Sequence, residues 1–170
     1  DLFLRAVAAL GKSGLSVIDA RVHTTHHGWA LDTFLVTDRY ERDDPEMLDV
    51  KIRKDLLTLL TSDKPLPTAP KGKLSRRSKH FPTRTMVTTV PDESGRAWIL
   101  NVICTDRPGL LYSISEVLAR YGINLQTARI ATLGERAEDV FLIDNPTLSD
   151  DETLLKLEAD LVEAVTPPKS

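Results

Sequence analysis

The stretch Asp106-Arg107-Pro108-Gly109-Leu110-Leu111 decides the fold, because it joins a predicted strand to a predicted helix. The residues before it are rich in β-formers, and those after it, 110–121, have helical periodicity. We expect Asp106 to cap this helix and Pro108 to supply a φ angle suited to its first turn. Gly109 has no Cβ, so another group can approach the backbone closely. A helix start with free N–H donors suits a carboxylate, although an ordinary capped turn has the same pattern.

The composition is that of a soluble globular protein. The chain has 170 residues, 41% of them hydrophobic and 28% charged, and its net charge of -3 does not favour nucleic acid as a partner. Cys104 is the single cysteine and lies in an apolar run, so we expect a packed thiol in a reducing, cytoplasmic setting. No apolar run has the length of a membrane span. The chain starts inside a helical pattern without Met or signal peptide, which we interpret as a fragment of a longer protein.

The second half of the chain predicts alternating strands and helices around the opening stretch. Segments 85–90 and 97–105 are typical of a hairpin. Gly122 ends the helix, and segments 123–133 and 139–144 are predicted strands. The last helix is predicted to start with a capping box formed by Ser149 and Glu152.

The first half predicts a similar order of elements. A helix begins at Leu2 and ends at Gly14, strands occupy 15–25 and 29–37, and Asp44 caps a second helix. Segment 62–79 is rich in proline, lysine and arginine and breaks the pattern. It is either a solvated tether or a docking strip for an acidic partner.

The two halves are repeats of one another. A shift of 108 positions places Gly14 on Gly122 and Arg21 on Arg129, and a shift of 107 places Asp32 on Asp139. Each half therefore predicts a ferredoxin-like βαββαβ unit, giving an α+β fold of two units in tandem. We divide the chain into a first unit, 1–62, that lacks its opening strand; a linker, 63–84; and a second unit, 85–166. The leading strand 85–90 could complete either unit.

Apolar residues on both sides of two predicted strands bear on assembly. They occur in 140–143 and in 98–103, whereas a strand with helices on one side should alternate. We expect the second face, or the edge, to be covered by the sister unit or by another copy of the chain.

The motifs resemble a known regulatory domain. The opening stretch, followed by Gly122-Ile123-Asn124-Leu125, resembles the ACT domain, a small amino-acid-sensing module. The run Gly134-Glu135-Arg136-Ala137-Glu138-Asp139-Val140-Phe141 resembles more closely the C-terminal end of the bifunctional PII uridylyltransferase/uridylyl-removing enzyme family. The first half adds support through segments 14–22 and 30–34, and so does the basic linker leading to His80-Phe81-Pro82.

This resemblance implies a regulatory rather than a catalytic role. In that family, upstream domains uridylylate the PII signalling protein or remove the group, using divalent metal (Mg²⁺ or Mn²⁺), and the ACT pair senses glutamine. The present chain has neither catalytic motif, and we expect it to hold no cofactor. ACT units would pack on one another within the chain or in a homodimer.

The resemblance also implies where an effector would bind. Its carboxylate would take N–H groups near Gly109 and Leu110, its ammonium would need an acceptor such as Asp106, and Asn124 could bond its polar groups. In the first half Ser16 stands where the second half has Asn124, so the two sites need not be equal. The full candidate set is Asp106, Arg107, Gly109, Leu110, Leu111, Gly122, Ile123, Asn124, Gly14, Leu15 and Ser16.

Other functions are less well supported by the residues. The chain could be an ACT tandem from another amino-acid-regulated enzyme or regulator. A nucleic-acid binder of ferredoxin-like fold would need stacking aromatics beside basic residues, whereas the corresponding strand begins with Glu138 and Asp139. The cluster of His23, His26 and His27 lacks the further ligands of a metal site, and no nucleophile and base pair marks a free-standing enzyme.

Overall fold

The computed structural model describes residues 2–24, 30–38, 40, 44–61 and 83–167. The first half contains one helix, two strands and a second helix: α1 (Leu2–Lys12), β1 (Leu15–Thr24), β2 (Ala30–Asp38) and α2 (Pro45–Leu60). The second half contains β3 (Met86–Pro91), β4 (Trp98–Thr105), α3 (Leu110–Arg120), β5 (Asn124–Leu133), β6 (Arg136–Asp144), a short 3-10 helix (Pro146–Ser149) and α4 (Asp151–Val165). The predicted turn at His26-His27-Gly28 and nearly all of the predicted linker lie outside the described residues.

The described strands form one antiparallel sheet of six, in the order β2-β1-β5-β6-β4-β3. Helices α1 and α2 pack together, as do α3 and α4, and α1 contacts α3. Alternate strand residues and the inner faces of the helices share one hydrophobic core, centred on Leu100, Ile114, Phe141 and Leu161. The α+β fold predicted from the sequence is confirmed.

The two halves join through β1 and β5, and the register of this pair shows the internal symmetry. Arg21 lies opposite Arg129, which is its own counterpart in the repeat. A bulge interrupts β1 between Val17 and Asp19, and another interrupts β5 between Leu125 and Thr127, again at equivalent positions. A local twofold axis therefore passes between the two arginines, and the halves extend a single sheet.

The leading strand of the second half completes that half. Strand β3 pairs with β4 along its whole length, from Met86 opposite Ile103 to Pro91 opposite Trp98. The backbone N–H of Thr89 also donates to Glu158 Oε1 of α4, at 2.7 Å. The sequence left open which unit strand 85–90 completes, and in the structure this strand belongs to the second unit.

The sister unit covers an edge of the sheet and not its second face. Strand β1 pairs with β5, whereas Val140 of β6 is 39% exposed on the face away from the helices. Apolar side chains such as Leu31, Leu35 and Leu133 are also exposed. Within the described part of the chain, the expected cover is therefore found at the edge alone.

Two predicted helix caps are wrong. The N-cap of α3 is Gly109, which has no side chain, and not Asp106; the backbone N–H of Asp106 donates to the carbonyl of Glu135. Helix α4 is capped by Asp150, whose carboxylate accepts from the Thr153 N–H, because Ser149 is the last residue of the 3-10 helix. The shift by one residue removes the predicted capping box.

None of the described helices has the length and apolar character needed to cross a membrane.

Candidate functional site

The direction of the strands brings the start of β1 to the opening stretch of the second half. Strand β1 runs antiparallel to β5, with Asp19 opposite Ala131. Strands β5 and β4 are both antiparallel to β6, so they run in the same direction. Consequently β1 begins at the end of the sheet where β4 and β5 finish, next to residues 106–109.

A cavity of about 140 Å³ lies at this junction. The first half contributes α1 and the start of β1, and the second half contributes the 106–109 loop, the first turn of α3 and the facing ends of β5 and β6. One water molecule needs about 10–15 Å³ of cavity volume, so this cavity has room for on the order of ten water molecules. That is about the size of one amino acid. Its lining residues are Val7, Gly11, Leu15, Ser16, Val17, Ile18, Asp106, Arg107, Pro108, Gly109, Leu110, Leu111, Tyr112, Ile130, Thr132, Ala137 and Asp139.

The start of α3 gives the cavity a side rich in hydrogen-bond donors. Gly109 has φ of 80°, a left-handed conformation that favours glycine, and it turns the chain into the helix. The N–H of Leu110 donates to the carbonyl of Arg107 at 3.1 Å. The first-turn residues Leu110, Leu111 and Tyr112 line the cavity, so the positive end of the helix dipole lies at its wall.

Arg107 holds the loop against both helices of the second half. Its Nη2 donates to the carbonyl of Ala164 at 2.6 Å and to Ser113 Oγ at 3.1 Å. Its Nε is buried and has no hydrogen-bond partner among the described residues. Burial lowers the pKa of the guanidinium from its ordinary value, and the nearby Cys104 and Asp106 oppose that effect.

Two carboxyl groups, those of Asp106 and Asp139, also line the cavity. Asp139 is only 2% exposed, and its Oδ1 accepts the Ala131 N–H at 3.3 Å. Burial raises the pKa of Asp139 to about 7, the Ala131 N–H lowers it, and the charge of Asp106 raises it further. Burial likewise raises the pKa of the Cys104 thiol to about 12, so this cysteine is a packed thiol and not a nucleophile.

The structure divides the predicted site residues into two groups. Asp106, Arg107, Gly109, Leu110 and Leu111 line the cavity together with Leu15 and Ser16 of the other half. Gly14 has φ of 82° and forms the turn before β1, just outside the lining.

The second group lies at the far end of α3. Gly122, Ile123 and Asn124 follow this helix of 11 residues, about 16 Å from its start, and are not among the cavity residues. Gly122 has φ of 62°, and its carbonyl accepts from Asn145 Nδ2 at 2.9 Å. Ile123 donates to the Leu118 carbonyl, and Asn124 is exposed at the start of β5.

Sequence reasoning missed Asp139, the most deeply buried charged residue of the cavity. A signal was present, because an acidic residue recurs at the equivalent position, Asp32, within an apolar strand of the first half. Only the pairing of the strands shows that Asp139 faces the helices beside the 106–109 loop. Among the described residues, no three His, Cys, Asp or Glu side chains form a group able to hold a metal ion; His26 and His27 lie outside them.

The chain is similar to a known domain family and to a group of known proteins. Residues 98–163 match the family model for the ACT domain. The chain is 44% identical over 163 residues to a bifunctional uridylyltransferase/uridylyl-removing enzyme of Aromatoleum aromaticum, a match that covers 96% of this chain and 19% of that protein. Proteins of the same name from Burkholderia vietnamiensis and Chromobacterium violaceum are 47% and 44% identical over 167 residues, with 97% of this chain and 19% of each relative covered. The chain thus spans about a fifth of the length of these relatives, and no solved structure matches it.

Proposed function

From the premise that residues 98–163 are an ACT domain, and that nearly the whole chain is similar to bifunctional uridylyltransferase/uridylyl-removing enzymes, we propose that this chain is the glutamine-sensing regulatory region of such an enzyme. It would form the C-terminal part of the longer protein. Upstream domains would use Mg²⁺ or Mn²⁺ to uridylylate the PII signalling protein and to remove the group. The setting would be the cytoplasm.

The cavity between the two halves is the observation that carries this proposal. Its lining combines the backbone donors at the start of α3 with the carboxyl groups of Asp106 and Asp139. An α-amino acid has the matching arrangement, with a carboxylate for the donors and an ammonium for the carboxyl groups. Its size also fits a single amino acid.

A bound effector would regulate the protein if it changed the arrangement of the two halves. Because α1 and β1 line one side and α3 the other, a bound effector would contact both halves and favour one arrangement of the pair. Only such a difference in affinity between arrangements can transmit a signal to distant catalytic domains.

The other readings of the sequence have less support. Phe141 of β6 lies in the core, so this strand presents no stacking ring on the open face of the sheet for a nucleic acid. An ACT tandem from another amino-acid-regulated protein would use the same cavity, and the similarity to the uridylyltransferases favours the proposal above.

Calorimetric titration of the chain with glutamine, glutamate and serine tests the proposal. We expect selective binding of glutamine, weakened about tenfold to a hundredfold by Asp106→Asn through loss of a charge-assisted bond. The matched control is Asn124→Ala, which changes an exposed residue at the far end of α3. Loss of binding in the control alone would move the site to the Gly122–Asn124 end, and absence of binding by every amino acid would refute the sensor function of this chain.

A further inference from the structure

The carboxylate of Asp139 is better placed to bind a ligand than to stabilise the fold. The β5–β6 ladder pairs Arg129 with Val140 and Thr132 with Ala137, but it skips the two pairs in between. The carboxylate of Asp139 lies at this opening, and its one hydrogen bond in the described structure is the 3.3 Å contact from the Ala131 N–H. A carboxylate offers about four acceptor positions, so most of the capacity of this buried group is unused.

Among the described residues that line the cavity, none is a cation that pairs with Asp139. The loop presents Asp106, which repels a second negative charge, and β4 presents the buried Cys104 thiol. Arg107 is engaged with Ala164 and Ser113 and is not among the groups that shift the Asp139 carboxyl. Helix α3 adds Tyr112, and the lining residues of α1, β1 and β5 carry no charge.

We propose that Asp139 binds the ammonium group of the effector amino acid as a carboxylate, and that the proton it carries without effector is released to solvent on binding. This inference rests on the proposed function and adds the ammonium-binding residue and a dependence on pH. The neutral carboxyl loses its O–H proton, and the resulting carboxylate forms an ion pair with the ligand ammonium. Ligand binding thus replaces one positive charge, the proton, by another.

The raised pKa of Asp139, near 7, makes this exchange measurable under ordinary conditions. Well below that value binding must displace a proton, so glutamine affinity should fall about tenfold for each pH unit of acidification. Well above it the group is already ionised, and the affinity should level off.

The test is calorimetric titration of the chain with glutamine between about pH 6 and about pH 8.5, at each pH in two buffers of different ionisation enthalpy that both buffer there, phosphate and Bis-Tris at the acid end and HEPES and Tris at the alkaline end. We expect release of close to one proton at the acid end and of none at the alkaline end. Asp139→Asn should weaken glutamine binding on the order of thirtyfold to a hundredfold at the alkaline end and remove the proton release. The matched control is Asp32→Asn, the equivalent position in the first half, which does not line the cavity and should leave both quantities unchanged.

A second ligand separates loss of the ammonium contact from a general disturbance of the site. Glutaramic acid is glutamine without its α-amino group, so the original chain should bind it far more weakly than glutamine. The Asp139→Asn variant should lose this discrimination. Glutamine binding by the original chain with no proton release, or unchanged discrimination in the variant, would overturn the role of Asp139 while leaving the sensor function intact. Absence of glutamine binding by the original chain would refute both.

Discussion

Replacing Asp139 by asparagine should stabilise the fold at neutral and alkaline pH. The side chain keeps its size, and its amide oxygen can still accept the Ala131 N–H. What it loses is the ability to ionise at a site that is only 2% exposed. A carboxyl group held there for a ligand costs stability in the absence of that ligand.

The magnitude follows from the pKa of Asp139. In the unfolded chain this carboxyl has an ordinary pKa of 3.8, and in the folded chain burial raises it to about 7. Between these values the folded state binds the additional proton, so stability falls as the pH rises through this window and levels off above about 7. At about 1.36 kcal/mol per pH unit, the full difference is about 4 kcal/mol.

The assay is urea denaturation of the chain and of Asp139→Asn at several values between about pH 4 and about pH 8. The difference in the free energy of unfolding isolates Asp139, because every other titrating group is shared by the two proteins. We expect a difference near zero at the acid end and about 4 kcal/mol in favour of the variant at the alkaline end.

A neighbouring position supplies the control. Glu138→Gln removes a carboxylate from the other face of the same strand, where Glu138 forms an exposed ion pair with Arg136 at 2.6 Å. Its effect should be within about 1 kcal/mol and should not grow with pH. A variant at position 139 that is equally or less stable at about pH 8 would refute the argument that this buried carboxylate is costly.

Three other substitutions remove stabilising contacts, so they should weaken the structure and not stabilise it. Burial would raise the pKa of Asp55, but two lysines and a serine bonded to its carboxylate hold that pKa at about 2. Asp55→Asn should therefore lower the free energy of unfolding by about 2 kcal/mol at neutral pH. In an acid-unfolding series, this loss should shrink as the pH falls from about 4 toward about 2. Arg107→Met leaves the Ala164 carbonyl without its 2.6 Å donor, so hydrogen exchange at the end of α4 should accelerate; unchanged protection there would contradict this. Asn145→Ala removes the 2.9 Å bond to the Gly122 carbonyl and should lower the unfolding free energy by about 1–2 kcal/mol in urea without changing glutamine affinity, whereas a loss of affinity would link that end of α3 to the site.

Local sequence determined the elements and their repetition. Apolar periodicity and glycines such as Gly14 and Gly122 placed the helices and strands close to their observed limits, because these signals act over a few residues. The two misplaced caps, at Asp106 and Ser149, show the limit of such signals, since several neighbouring polar residues could serve and backbone geometry chooses among them. The repeat predicted two similar units without any structural information.

The site needed the pairing of distant strands. Periodicity indicates that β1 and β5 are strands, but their antiparallel register joins residues about a hundred positions apart and carries no local signature. That register places Leu15 and Ser16 beside the 106–109 loop and leaves Gly122–Asn124 at the other end of α3. It also places Asp139, an acidic residue in an apolar strand, in the cavity as a buried carboxyl group. The sequence by itself determined the units and the loop, and the tertiary structure decided which residues meet there, because strand pairing depends on contacts between distant segments.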